Sequence, residues 1–335
     1  MFQIQQLLLT AATSIITAII TIANWSKLKD RATPLALAVA KSRSQWLKRL
    51  ALGLVIIVIM VPVITWFLHH SSLRNALLLT IGAVMLLTIL TLIILQQDPM
   101  ARKKMIAYLI LLIGALSFWI IYAMLPMGLT VFAQYNVDRI VWGMTIAPQW
   151  FQNINAVVIV IGGPLMIVFL KKICKHIYFS VPAQFSFSLL ITGISMLLLP
   201  IGIHFANAQG LVSIHWIFWC YVLQSTGELM IGPIGYAMVG QLASQRLQGI
   251  FMGTWMMMVG ISGVLSSYLS NYAAANVIDN NPLSTNVSYS HTFMGLGIAS
   301  LVFGVIMVLL IPFLRKLINE HSHENIEGEI TPPSV

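Results

Sequence analysis

Acidic side chains are the scarcest chemistry in this chain. Of 335 residues only nine are Asp or Glu, and before residue 320 there is a single glutamate, Glu228. Charged residues of both signs make up 8% of the chain, where a soluble domain carries about 25%, while 59% are hydrophobic and the mean hydropathy is +0.90. That shortage excludes an ordinary water-soluble fold and points to lipid as the main solvent. Cysteine is nearly absent too. Cys174 and Cys220 show no Cys-x-x-Cys and no zinc-ligand spacing, so both read as small core residues. The apolar stretches hold no cluster of His, Asp and Glu, which leaves an intramembrane transferase without its acid–base or metal chemistry. The net charge of +9 is then no sign of a nucleic-acid partner but of Lys and Arg crowded on one side of a membrane.

What is present is a series of long apolar runs. A bilayer core needs about 20 residues per helix, and nine runs qualify: 4–23, 50–68, 75–95, 105–125, 151–170, 185–204, 214–242, 249–271 and 292–313. The first has no basic region before it and no clear small-residue cleavage site, so it reads as a retained span. Basic residues crowd onto alternate linkers: 24–49, Arg102 to Lys104, Lys171 to Lys175, Arg246, and Arg315 with Lys316. The intervening linkers hold only Arg74 and Arg139. This alternation predicts an N-terminus outside and a C-terminus in the cytoplasm. Pro62, Pro164 and Pro233 fall inside apolar runs, where proline removes a helical hydrogen bond and kinks the helix. Residues 319–335 read as a solvated, disordered tail. The polar stretch 272–290 reads as a loop, and it contains the glycosylation sequon Asn286-Val287-Ser288.

Glu228 is the one acidic side chain inside an apolar run. A charge at the centre of a membrane helix costs roughly 2.5 kcal/mol or more, so its default reading is a substrate, ion or proton site. It lies within about a turn of Gly232-Pro233, which predicts a carboxylate facing a polar cavity beside a hinge. The alternative is a structural ion pair, but no basic residue occurs in another span to supply the partner.

The residues around Glu228 resemble those of the proton-dependent oligopeptide transporters of the major facilitator superfamily. The resemblance rests on Gly227-Glu228-Leu229-Met230-Ile231-Gly232-Pro233 and on Arg246-Leu247-Gln248-Gly249 running to Trp255. It extends to Phe151-Gln152-Asn153-Ile154-Asn155, to Phe118-Trp119-Ile120-Ile121-Tyr122 before Pro126, and to Asn136-Val137-Asp138. The bacterial di- and tripeptide permeases are the most similar subgroup. The implied fold is an all-α polytopic bundle of about nine spans. Residues 1–24 would be the last helix of an N-terminal bundle and 25–49 a basic cytoplasmic linker. Residues 50–98 would form an inserted two-helix hairpin and 99–318 the C-terminal six-helix bundle, followed by the tail 319–335.

The resemblance also implies chemistry. Glu228 stands where the family holds a peptide's terminal ammonium, and it is the proton-coupling candidate. Asn155 would hydrogen-bond peptide backbone, and Trp255 would form a cavity wall. Gln224, one turn before Glu228, could share its face. Each has a plainer reading: helix–helix contact for Asn155 and Gln224, an interfacial or lipid-facing position for Trp255. His204 and His215 flank the stretch 205–213 and read as residues at the headgroup level. The expected partners are di- and tripeptides, membrane lipid and a separate N-terminal bundle. No cofactor is expected beyond the proton. The expected location is the cytoplasmic membrane of a bacterium.

Departures from the family pattern are as informative. The Glu-x-x-Glu-Arg signature of the family's first helix is absent, since no glutamate precedes Glu228. Ala123 and Met124 stand where an acidic residue and a glutamine are usual, Gly232 where a serine is usual, and Ala156 where a proline is usual. The sequence therefore reads as a truncated or split C-terminal portion of a proton-coupled di-/tripeptide permease, unable to transport alone. The alternative is a non-transporting peptide-binding or degenerate membrane protein of the same fold.

Overall fold

The structure, a computed structural model, describes residues 43–173, 180–244, 246–274 and 281–318. The expected span 4–23, most of the basic linker, Cys174 and the tail from 319 lie outside the described residues. The chain divides into two units, Met1–Ser71 and Ser72–Val335. The first contributes one described helix, α1 (Arg43–His69), which continues through Pro62.

The second unit is helical apart from short pairings at helix ends. It contains α2 (Ser71–Leu95) and α3 (Pro99–Ala123), then a π-helical turn (Leu125–Leu129) and α4 (Thr130–Asn136). Next come α5 (Gln152–Ile173), α6 (Val181–His204), α7 (Ile214–Leu242), α8 (Gln248–Ala274) and α9 (Pro282–Ile318). Among the described residues seven helices are long and apolar enough to cross a membrane. The expected span 214–242 does form a helix, α7, but its glutamate, glutamine and glycines dilute the apolar character that marks the other seven.

Local chemistry sets these boundaries. Asp98 caps α3, its carboxylate accepting from the amides of Met100 at 3.0 Å and Ala101 at 3.3 Å, with Pro99 at the first helical position. Farther along, Pro126 cannot donate to the ladder, and the helix widens into the π turn, where the Leu129 amide reaches back to Met124 O at 2.9 Å. The carbonyl of Leu125 is captured from outside the ladder. It accepts from Thr130 Oγ1 at 2.9 Å and from the hydroxyl of Tyr221 on α7 at 3.1 Å. Lipid offers no substitute donor, so this cross-helix bond is the one that makes the irregularity tolerable at membrane depth.

Close helix approach depends on small residues, since lipid is as apolar as a leucine and burial alone drives little association. A Cβ on Gly193 of α6 would lie 3.0 Å from the Gly297 carbonyl of α9, and one on Gly297 would lie 3.1 Å from that of Gly193. Ser300 of α9 donates across the same seam to Leu189 O at 2.8 Å. Two apolar cores result. One gathers Tyr108, Phe118, Phe185, Phe251 and Trp255, and the other Phe132, Phe151, Tyr221, Tyr289 and Phe293.

At the second core's end of the bundle, three connections are tied together. Strand β1 (Val137–Asp138) pairs in parallel with β4 (Val212–Ser213), and β2 (Ile140–Val141) pairs antiparallel with β3 (Met144–Thr145). The Asn136 amide donates to Thr285 Oγ1 and to Asn286 Oδ1, the latter at 2.9 Å, and Asn286 Nδ2 donates to Gly210 O at 2.7 Å. Gly210 has φ +80°, and a Cβ there would sit 2.9 Å from the Leu283 amide nitrogen. This corrects the reading of 272–290 as a loop. Residues from Pro282 onward are helical, and the sequon residue Asn286 is buried with both ends of its carboxamide engaged, so it is not open to a glycan. The surplus of polar residues reflects this latch rather than solvent.

Replacing Asn136 by Ala removes the donor to the carboxamide oxygen of Asn286 and to the hydroxyl of Thr285, leaving that oxygen without a partner in a buried site. We expect a loss of about 1–3 kcal/mol, read as a lower melting temperature of the detergent-solubilised protein. An unchanged melting temperature would remove the latch from the fold's support.

Candidate functional site

The site is assembled where α3, α5 and α7 meet. Glu228 lies near the middle of α7 and is half-buried. Asn155, in the first turn of α5, donates its Nδ2 to Glu228 Oε2 at 2.7 Å and to Ser225 Oγ at 3.0 Å. Ser225 in turn donates to Tyr221 O at 2.7 Å, one turn back on α7. Tyr122, at the end of α3, faces both Glu228 and Asn155 and interacts with each side chain. A cleft of about 170 Å³ opens beside this cluster, lined by Tyr122, Leu125, Pro126, Gln152, Asn155 and Tyr221. The contacts to the carboxylate thus come from neutral groups, and among the described residues no cation pairs with it.

Asn155 and Glu228 are therefore brought together, and Gln224 and Trp255 are not. Gln224 is fully buried, its Nε2 3.8 Å from Cys220 Sγ and its Oε1 without a partner. It belongs to the seam between α6 and α7, where Ser188 donates to Gly227 O at 2.8 Å and Ser195 reaches Cys220. A spacing of four residues did not put Gln224 on the Glu228 side. The residues that share that side are Tyr221 and Ser225, seven and three positions earlier. Trp255 is fully buried on α8, packed so tightly over Gly235 that a Cβ there would clash with its ring. Phe185 and Tyr236 flank it at ring-centroid distances of 6.4 and 6.3 Å. It lines neither this cleft nor any membrane interface.

Four neighbours escaped the sequence reading as site residues: Tyr122, Gln152, Tyr221 and Ser225. Tyr122 and Gln152 do occur in the motifs that carry the resemblance, which was the available signal. Ser225 and Tyr221 had none, because a serine and a tyrosine in an apolar helix are common. Gly232, one turn after Glu228, has open space around its missing Cβ, so a serine at this position would meet no obstacle.

Against known families, residues 8–286 match the model of the POT family. The chain belongs to the POT family. It is 34% identical over 264 residues to dipeptide and tripeptide permease A of Cronobacter turicensis, covering 79% of this chain and 52% of that one. It is 33% identical over 270 residues to the permease of the same name from Salmonella typhimurium, covering 81% and 53%. The crystal structure of tetrameric PepTSo2 superposes with a TM-score of 0.69 at 25% identity, over 81% of this chain and 55% of that one. A glutamate-to-glutamine mutant of a peptide transporter POT in complex with alafosfalin superposes with a TM-score of 0.68 at 21% identity, over 92% and 61%. The latter likeness is one of fold. This POT chain spans about half the length of the curated relatives it matches, and it is a multi-pass membrane protein.

Two glycines on α7 should respond in opposite ways. Gly232→Ala meets nothing and gains helix propensity, so it should be neutral or stabilise by up to about 1 kcal/mol. Gly235→Ala drives a methyl into Trp255 and should destabilise by about 1–3 kcal/mol. Thermal unfolding of the two variants checks this, and equal melting temperatures would refute the placement of Trp255.

Proposed function

We propose that this chain forms the C-terminal half of a proton-coupled di- and tripeptide permease, with Glu228 holding the peptide's terminal ammonium. The observation that carries this reading is the carboxylate itself. It sits at mid-helix, oriented by Asn155 and Tyr122, with no cation beside it among the described residues. An unpaired carboxylate at membrane depth is costly, and an incoming ammonium supplies the missing charge through a strong, charge-assisted bond. Asn155 keeps its carbonyl oxygen for a peptide amide while its Nδ2 holds Glu228. Protonating Glu228 cancels the ammonium contact, which links proton movement to substrate release. The names of the permease relatives support peptides as the substrate class.

Transport needs two bundles rocking about one site. The relatives are about twice as long as this chain, so we assign the other half of the cavity to an N-terminal bundle, without which this chain does not transport. The linkers at the end of the bundle carrying Arg102 to Lys104, Arg246, Arg315 and Lys316 would face the cytoplasm by the positive-inside rule. That orientation puts the C-terminus on the cytoplasmic side of a bacterial cytoplasmic membrane.

One observation favours a second reading, a peptide-binding protein that no longer couples to protons. The position where the family pattern has an acidic residue is Ala123, at the end of α3.

Binding of a dipeptide with a free amino terminus, measured by calorimetry, tests the assignment. Glu228→Gln should weaken it about 10- to 100-fold, the worth of one hydrogen bond to a charge. The N-acetylated dipeptide should bind both proteins equally poorly. If parent and variant bind the free dipeptide alike, Glu228 is not the ammonium site. Binding that persists without acid-driven uptake once an N-terminal bundle is co-expressed would favour the second reading.

A further inference from the structure

Helices α6 and α9 pack along one seam, and away from that seam both present apolar side chains outward. Phe187, Ile194 and Ile201 recur at seven-residue spacing on α6, and Ile298, Val302, Val305 and Leu309 are exposed on α9. In a membrane protein such a face meets acyl chains. At one end the face changes character. A groove of about 510 Å³ opens between the last turn of α6 and the first turns of α9, within the range of about 300–1,000 Å³ usual for ligand sites. Ile201, Val287 and Met294 give it an apolar floor, while His204, Ser290 and His291 bring polar heads to it from both helices.

The groove lies at the level where lipid headgroups begin. Phe205, directly after α6, stacks on Trp216 of α7 with an interplanar angle of 3° and centroids 6.2 Å apart. Trp142 and Trp150 are exposed on the neighbouring connection between α4 and α5, which β1 and β4 tie to this one. Exposed aromatic rings at helix ends mark the membrane–water boundary. Among the described residues no carboxylate lines the groove. Among the described residues the charges on the connections at this end are Asp138, exposed on β1, and Arg139, which donates to the carbonyls of Ile146 at 2.7 Å and Gln134 at 3.1 Å; Asp279 lies outside the described residues. His215 is exposed at the start of α7.

We propose that this groove binds one anionic phospholipid of the adjoining leaflet. Its phosphate accepts hydrogen bonds from His204, His291 and the Ser290 hydroxyl, and an acyl chain runs down the floor past Ile201 and Met294. Each imidazole offers an N–H donor whether neutral or charged. Among the described residues that line the groove, none carries a negative charge. The latch through Asn286 fixes the start of α9 and hence the spacing between the two histidines, so the bound lipid would clamp α6 to α9 independently of what the Glu228 site carries.

The test is native mass spectrometry of the purified full chain, with melting temperature as a second reading, in the presence of phosphatidylglycerol. The wild type should retain one phosphatidylglycerol and melt higher with it. His204→Leu/His291→Leu should need about tenfold more lipid for the same effect. The shape-keeping single variant His291→Asn, which retains a donor, should fall between them. The control Val302→Ala, on the same face but away from the groove, should bind like the wild type. Equal retention by the double variant and the wild type would overturn the proposal. So would equal protection by phosphatidylcholine, or protection by inorganic phosphate or Zn²⁺ alone, which would mark a free-anion or metal site instead.

Discussion

Lipid supplies no hydrogen bonds, so a polar group at membrane depth is costly unless it finds its partner within the protein. Most of the architecture around the candidate site follows from one instance of this. Pro126 interrupts the ladder, the backbone widens into a π turn, and the Leu125 carbonyl turns outward to the hydroxyls of Thr130 and Tyr221. That bond sets how α3 lies against α7. With Tyr221 fixed to Leu125, Ser225 and Glu228 follow on the same side of α7, and Tyr122 at the end of α3 arrives beside the carboxylate. The break in one helix thus positions the charged group of another.

The same constraint divides the polar residues of α7 between two jobs. Gln224, Cys220 and Gly227 face α6, where serines and a threonine let the backbones come close. A Cβ on Gly227 would lie 2.8 Å from Thr192 Oγ1. Ser225 and Glu228 face Asn155 of α5, which lines the cleft. One side is fully buried and consumed in helix packing; the other keeps the half-buried carboxylate. Polar residues at membrane depth are therefore not equal indicators of function, and what separates them is which neighbouring helix they face.

The Asn136–Asn286–Gly210 latch shows polar chemistry used for fold at the membrane edge. It joins the end of α4, the connection before β4 and the first turn of α9, three places distant in sequence. Its members look like ordinary loop residues until their partners are known. For the same reason the stretch from Pro282 reads as a polar loop in the sequence although it is helical. Hydropathy records the mean preference of a segment for lipid, not whether a neighbour satisfies its polar groups.

The sequence by itself determined the solvent, the helical class, the family and the one carboxylate inside an apolar run, because each depends on composition or on a contiguous motif. Span limits such as 185–204 and 75–95 fell close to the observed α6 and α2 for that reason. Only the tertiary structure decided which polar residues join Glu228. Asn155 reaches it from another helix, Ser225 reaches Asn155 because of its angle around α7, and Tyr122 arrives through the Pro126 widening. Trp255 and Gln224 were assigned by resemblance and by spacing, and the structure turns both into neighbouring seams instead. A helix wheel fixes the angle between residues of one helix, but which angle points at a partner depends on how the helices pack, and that is set by contacts between residues far apart in the chain.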